Sequence, residues 1–259
     1  MYQPRLYRGD MNRKRFRFFR AMHHESDLLV GVPHQLFCSE MVGSVEKELI
    51  RLRQTLLDYS ELDPRFLTAL QPLDLIEPER GSETGTAPGT KGAKELQTMI
   101  RCGQQSGTGP MSCVAGLFAE QVGRMLVSAY GDMEVVVENG GDIYLRNRED
   151  LVSVIHAGTS SLSDKMAFVV PAGEWGICTS SGTLGHSFSR GRADAVTVIC
   201  SSAPVADAWA TALANRVQGA ADINPVLDYA GQIPEIRGCA VIVEEQVGVR
   251  GEFELKLLT

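Results

Sequence analysis

Apolar residues recur along this chain at two spacings, and each spacing predicts a different element. Val45, Leu49, Leu52 and Leu56 follow at steps of four, three and four, which on a helix makes one continuous stripe. The other face then carries Glu46, Lys47, Glu48, Arg51 and Arg53, a solvated surface. Val114, Leu117, Phe118, Val122, Met125 and Leu126 predict a second helix, and Gly131-Asp132 supplies its stop. Alternation and short apolar runs predict strands at 27–32, closed by Pro33, and at 135–137, 152–156, 166–170, 175–178 and 195–200.

Further helical segments are expected after Asp63-Pro64, from about 93 until Gly103–Pro110 breaks the pattern, and over 204–218. In the last of these Pro204 falls in the first turn, where its missing N–H removes no helical bond. The C-terminus reads as two strands, 239–244 and 252–257, joined through a glycine-containing turn. Residues 77–92 are rich in Gly, Thr, Glu and Pro and show no apolar period, which predicts a mobile loop. With no internal repeat and no domain-sized linker, the pattern predicts one α+β domain over residues 1–259.

Composition narrows the class. A chain of 259 residues with 44% hydrophobic and 22% charged residues is long enough for a sizeable core and reads as a soluble globular protein. Six cysteines, at 38, 102, 113, 178, 200 and 239, show neither a Cys-x-x-Cys pair nor metal-ligand spacing, and most sit in apolar runs. That usage fits a reducing compartment. No continuous apolar segment follows the basic N-terminus, and no run reaches the roughly 18 residues needed to span a membrane. A cytoplasmic protein without a membrane partner is expected.

The net charge of −7 is uneven. Residues 1–20 hold seven basic side chains and one acidic, which leaves 18 basic and 31 acidic residues in the remainder, a balance of −13. The run Arg13-Lys14-Arg15-Phe16-Arg17-Phe18 is either an anionic-surface patch or a strand with arginines at 13, 15 and 17 on its wet face and Phe16 and Phe18 inward. The acidic remainder argues for the strand and against nucleic acid as a partner.

Three segments carry the candidate chemistry. Asn139-Gly140-Gly141-Asp142 interrupts a strand-like run. Its glycines permit positive φ and let a ligand approach the main chain, although Asn-Gly is equally a hairpin signal. Thr179-Ser180-Ser181-Gly182 is a hydroxyl-rich turn suited to phosphate or the polar edge of a ring, or to satisfying its own backbone. Asp207 and Thr211, four apart on a helix, point the same way. A carboxylate and a hydroxyl, completed by carbonyls, waters or phosphate, suit a hard cation such as Mg²⁺. Read without the other segments, Asp207 is equally a first-turn residue favoured by the helix dipole. His186, in a polar glycine-bounded loop, is the candidate for proton transfer. No Gly-x-Ser-x-Gly elbow is present, which argues against a serine hydrolase.

In that order, the Asn-Gly-Gly-Asp, Thr-Ser-Ser-Gly and Ala206-Asp207-Ala208-Trp209-Ala210-Thr211 segments resemble the ApbE-like superfamily, whose best-known members are FAD:protein FMN transferases. The resemblance spans about residues 109–219 and points to a shorter branch of that superfamily. It implies an ApbE-like, T-fold-like mixed sheet with packed helices, and metal ligation by Asp207 and Thr211. It places Asn139, Gly140, Gly141, Asp142, Thr179, Ser180, Ser181 and Gly182 at a flavin-nucleotide site for FAD or FMN, with an acceptor protein as the second partner. Two departures are plain. The Ala-Lys-Gly-Tyr-Ala-like stretch of the transferases is here Val114-Ala115-Gly116-Leu117-Phe118-Ala119, without lysine, and the Asp-Pro-x-Thr-Gly part of the stretch after the matching His186 is missing. Two functions therefore stand open: a flavin-nucleotide or phosphate-ligand protein with Mg²⁺-dependent transferase-like chemistry, and a non-catalytic binding or assembly module on the same fold.

Overall fold

The structure, a computed structural model, describes residues 14–74, 93–182 and 191–258. It contains β1 (Phe16–His23), β2 (Ser26–Pro33), α1 (Glu40–Leu62), α2 (Ala93–Ser106), α3 (Val114–Tyr130), β3 (Val135–Asn139), β4 (Asp142–Asn147), β5 (Leu151–Val154), β6 (Met166–Val170), β7 (Gly173–Ser180), β8 (Ala195–Cys200), α4 (Ala203–Ala214), α5 (Ile223–Ala230), β9 (Gly238–Val243), β10 (Gln246–Gly251) and β11 (Glu254–Leu257). Eight strands form one sheet in the order β1-β2-β3-β4-β7-β8-β9-β10, and β11-β6-β5 form a second. Every neighbouring pair is antiparallel. Among the described residues no helix is long and apolar enough to cross a membrane.

Strand alternation divides the core in two. Val135, Val137, Tyr144, Cys178, Val196 and Val198 point to the side covered by the helices. Leu145, Ile177, Ala195 and Ile199 point to the other side and meet Phe168, Val170 and Phe253 beneath the three-stranded sheet. The helical stripe of α1 is buried as its spacing requires, with Val45, Leu49, Leu52 and Leu56 inside. All six cysteines are free thiols and five are buried.

The position of α4 decides where the candidate chemistry lies. Ten of its twelve residues are buried, six of them alanine. A Cβ on Gly176 of β7 would stand 2.3 Å from Ala203 Cα, and one on Gly116 of α3 would stand 2.4 Å from Ala203 O. The helix therefore lies directly on the backbone of both neighbours, which only missing or single-carbon side chains permit. Its first turn is tied down by charge. Ala203 N–H donates to Glu120 Oε2 at 2.7 Å, and Arg124 bridges Glu120 Oε1 at 3.1 Å and Glu174 Oε1 at 2.8 Å.

Several expected boundaries move. Helix α2 continues through Gly103 to Ser106, because the chain turns at Gly107 (φ +75°) and Thr108 N–H bonds back to Gly103 O. Helix α4 stops at Ala214, four residues early, and the following turn accepts Arg192 N–H on Val217 O. Thr179 and Ser180 are not in a turn: they end β7, paired with Thr197 and Val196 of β8. The strand at 152–156 is β5, over 151–154. The two C-terminal strands do not form one hairpin, since β9 pairs with the unexpected β10 and β11 joins β6 in the other sheet. Gly248 hid β10 from the apolar pattern; its missing side chain makes room for Ile223 and Leu227 of α5, which the sequence reading also missed. Arg15 lies in the turn before β1 and pairs with Glu134, so of the expected wet-face arginines only Arg17 is seen on the strand; Arg13 and the whole 77–92 loop lie outside the described residues.

Two measurements follow from the seating of α4. Gly176→Ala forces the helix off β7, and a loss of about 1–3 kcal/mol is expected in denaturant unfolding, as for an overpacked core. Burial pushes the Glu120 carboxyl above its ordinary 4.5, with Arg124 and the Ala203 N–H offsetting part of the rise. A raised folded-state value means the folded chain binds the proton more tightly than the unfolded one. Glu120's contribution is then full below about pH 4.5 and is lost as pH climbs through the folded value. The stability of the parent protein relative to Glu120→Gln should fall as pH rises above about 4.5; a difference that grows with pH contradicts this.

Candidate functional site

The Asn139–Asp142 segment is a two-residue hairpin turn between β3 and β4, with Asn139 paired to Asp142. Gly140 and Gly141 take φ of +74° and +106°, the left-handed pair that such turns demand. The hairpin reading is thus correct, and both glycines take the positive φ expected of them. Glu138, fully buried, accepts the Gly141 N–H on Oε1 at 3.0 Å and fixes the turn. A Cβ at Gly141 would come within 3.9 Å of Thr179 O, so the turn lies beside the end of β7.

Asp207 is buried in the middle of α4, where its Oδ2 accepts the Gly116 N–H from the first turn of α3 at 2.8 Å. Asn139 Nδ2 donates to the neighbouring Ala115 O at 3.2 Å. The β3–β4 hairpin, the start of α3 and the middle of α4 are thereby linked through two side-chain-to-backbone bonds. Burial pushes the Asp207 carboxyl well above the usual carboxylate range, and the negative charge of Asp142 adds to the rise; the Gly116 N–H works against it. Asp142 is itself buried and follows Tyr144 onto the helix side of the sheet by strand alternation.

Asn139, Gly140, Gly141, Asp142, Thr179, Ser180, Ser181, Asp207 and Thr211 line a single groove of about 2270 Å³. That is larger than the roughly 300–1,000 Å³ of ordinary small-molecule pockets. Ser180 Oγ is buried there with no hydrogen-bond partner among the described residues. Thr179 points to the opposite side of the sheet, where its Oγ1 lies 2.8 Å from Thr197 Oγ1. Gly182 stands back from the lining; its N–H bonds to Ala193 O. His186 lies outside the described residues.

The donors suit a hard divalent cation. Asp207 and Asp142 supply carboxylates whose mutual repulsion a cation would relieve, and Thr211 supplies a hydroxyl one turn along α4. Among the described residues no group of three or more His, Cys, Asp or Glu side chains is arranged to hold a metal. A cation here would share its shell with main-chain carbonyls, water or a ligand's oxygens, as magnesium commonly does. Sequence reasoning gave Asp142 to the ligand or to the turn and missed its proximity to Asp207, which a strand–helix contact creates. It also missed Glu138, although a carboxylate between a valine run and a glycine pair was a visible signal.

A protein-family model described as "AbpE bacteria" matches residues 8–228. A UPF0280 protein of Methanothermobacter thermautotrophicus is 38% identical over 212 residues, covering 80% of this chain and 77% of its own. Another, from Methanocaldococcus jannaschii, is 35% identical over 241 residues and 90% of each chain. Among solved structures, the flavin transferase ApbE of Vibrio cholerae superposes with a TM-score of 0.59 at 14% identity, covering 94% of this chain and 97% of its own. The ApbE protein of Thermotoga maritima gives 0.59 at 12% identity, over 92% and 97%. The fold is therefore the ApbE-like α+β fold, and the chain belongs to the bacterial AbpE family within the ApbE-like superfamily.

Proposed function

We propose that the groove binds a flavin nucleotide, FAD or FMN, together with Mg²⁺, and that the chain carries out transferase-like chemistry on the phosphoanhydride of the dinucleotide. The observation that carries this reading is the buried Asp207 carboxylate. It is held by the Gly116 N–H, destabilised by Asp142, and followed one turn later by Thr211. A flavin transferase among the structural neighbours supports the choice of ligand. Asp207 and Thr211 would hold the metal, with Asp142 facing them. When bound, Mg²⁺ would neutralise charge developing on the diphosphate and its leaving group.

The chain's own residues do the rest. The open Gly140-Gly141 turn lets the ligand reach the main chain, and Ser180 Oγ offers a hydrogen bond that no other described residue uses. Ser181 stands at the same wall, whereas the Thr179 hydroxyl is turned to the opposite face of the sheet. His186 is assigned proton transfer from its sequence context alone. The absence of a lysine at 114–119 favours the second reading, a module that binds the nucleotide without turning it over.

Titration with FAD and FMN, with and without Mg²⁺, tests the proposal. Saturable binding strengthened by the metal is expected, and Asp207→Ala and Thr211→Ala should weaken the metal response at least about tenfold. No nucleotide binding at millimolar ligand with metal present would sink both readings. Binding without release of a nucleoside monophosphate, in the presence of candidate acceptor proteins, would select the module.

A further inference from the structure

A chain of three hydroxyls borders the same groove just ahead of the α3 start, and its geometry fixes which way every proton points. Ser106, the last residue of α2, has its Oγ 2.8 Å from Cys102 O. A carbonyl only accepts, so Ser106 gives its single proton there. Thr108 Oγ1 lies 2.7 Å from Ser106 Oγ and must donate to it. Ser112 Oγ lies 2.6 Å from Thr108 Oγ1 and must donate in turn. This is the one assignment in which all three bonds form. Each hydroxyl carries one proton, and all three are used inward. Ser112 Oγ is left facing the groove with lone pairs and no proton, four residues before the Gly116 N–H that holds Asp207.

We infer that Ser112 Oγ is an acceptor-only subsite that recognises an O–H or N–H of the bound ligand and turns away phosphate oxygens. The inference rests on the flavin-nucleotide reading and adds the ligand's direction in the groove. Phosphate, itself an acceptor at neutral pH, belongs at the Asp207–Thr211 end beside a cation. A donor-bearing part of the ligand belongs against Ser112. In a flavin those donors are the ribityl hydroxyls and the ring N3–H. Reversing the chain, so that Ser112 gained a proton to offer, would cost Ser106 its bond to the Cys102 carbonyl.

The full-length protein, titrated calorimetrically with three probes, separates the sources. FMN carries both donors, lumiflavin only N3–H, and 3-methyl-lumiflavin neither. Ser112→Ala should weaken FMN roughly 2- to 10-fold, the span of one neutral hydrogen bond, and leave 3-methyl-lumiflavin unchanged. Lumiflavin weakened alongside FMN assigns the contact to N3–H; lumiflavin unchanged assigns it to a ribityl hydroxyl. Unchanged FMN affinity, or an equal loss for all three probes, overturns the inference. Ser106→Ala supplies an independent arm. It frees Thr108 to donate to Ser112, which then has a proton to offer, so the preference for FMN over 3-methyl-lumiflavin should narrow while Ser112 stays in place. No change in that preference overturns the assigned proton direction. If the parent protein binds none of the three, the flavin reading itself fails and takes this inference with it.

Discussion

A carboxylate that sits inside the protein must be held by something, and here the holders are backbone N–H groups at the start of α3, those of Gly116 and Ala115. Asp207 Oδ2 meets the Gly116 amide at 2.8 Å because α3 and α4 approach each other with no side chain between them. A Cβ on Gly116 would strike both the Ala203 carbonyl and Asp207's own Cβ, at 2.4 and 2.9 Å. The alanines of α4 extend the same closeness to β7 and β8. Close packing of this kind tolerates no added methyl group, so the position of the carboxylate is set by the core rather than by a flexible loop.

The electrostatics of that arrangement run against the folded state. Burying a carboxylate disfavours its charged form, and placing Asp142 nearby disfavours it further. The backbone hydrogen bonds from Gly116 and Ala115 offset only part of this. A fold that served stability alone would do better with an amide or an apolar residue at 207, since unpaired buried charge is among the most destabilising features a core can hold. The proposed cation supplies the missing compensation. Around it the groove has a consistent polarity: carboxylates and the Thr211 hydroxyl at one end, and an oxygen with no proton to give at Ser112. A ligand with an anionic end and a hydroxyl- or N–H-bearing body matches both.

Much of this was legible in the sequence because the deciding features are local. The stripe of α1, the Asn139–Asp142 hairpin, the run 195–200 and the i, i+4 pair Asp207 and Thr211 each follow from the spacing of a few residues. Their assembly was not. That Asp142 faces Asp207 depends on strand alternation along β4 and on where α4 lands on the sheet, neither of which a local pattern encodes. Thr179 and Ser180 looked like turn residues because hydroxyls favour turns, yet pairing with β8 overrode that preference. Strand β10 was missed because Gly248, which reads as a loop signal, is in fact the gap into which α5 packs. The hydroxyl chain escaped notice because its three members belong to a helix end, a buried turn residue and the approach to the next helix.

The central claim is that Asp207 and Thr211 hold a divalent cation within a groove that also holds a flavin nucleotide. Crystals grown with FMN and Mn²⁺, the latter a magnesium substitute with an anomalous signal, test it most directly. The account predicts an anomalous peak about 2.0–2.3 Å from an Asp207 carboxylate oxygen and the Thr211 hydroxyl, with the phosphate of FMN completing the shell. A cation bound away from α4, or FMN seated outside the groove between the β3–β4 turn and α4, would contradict it.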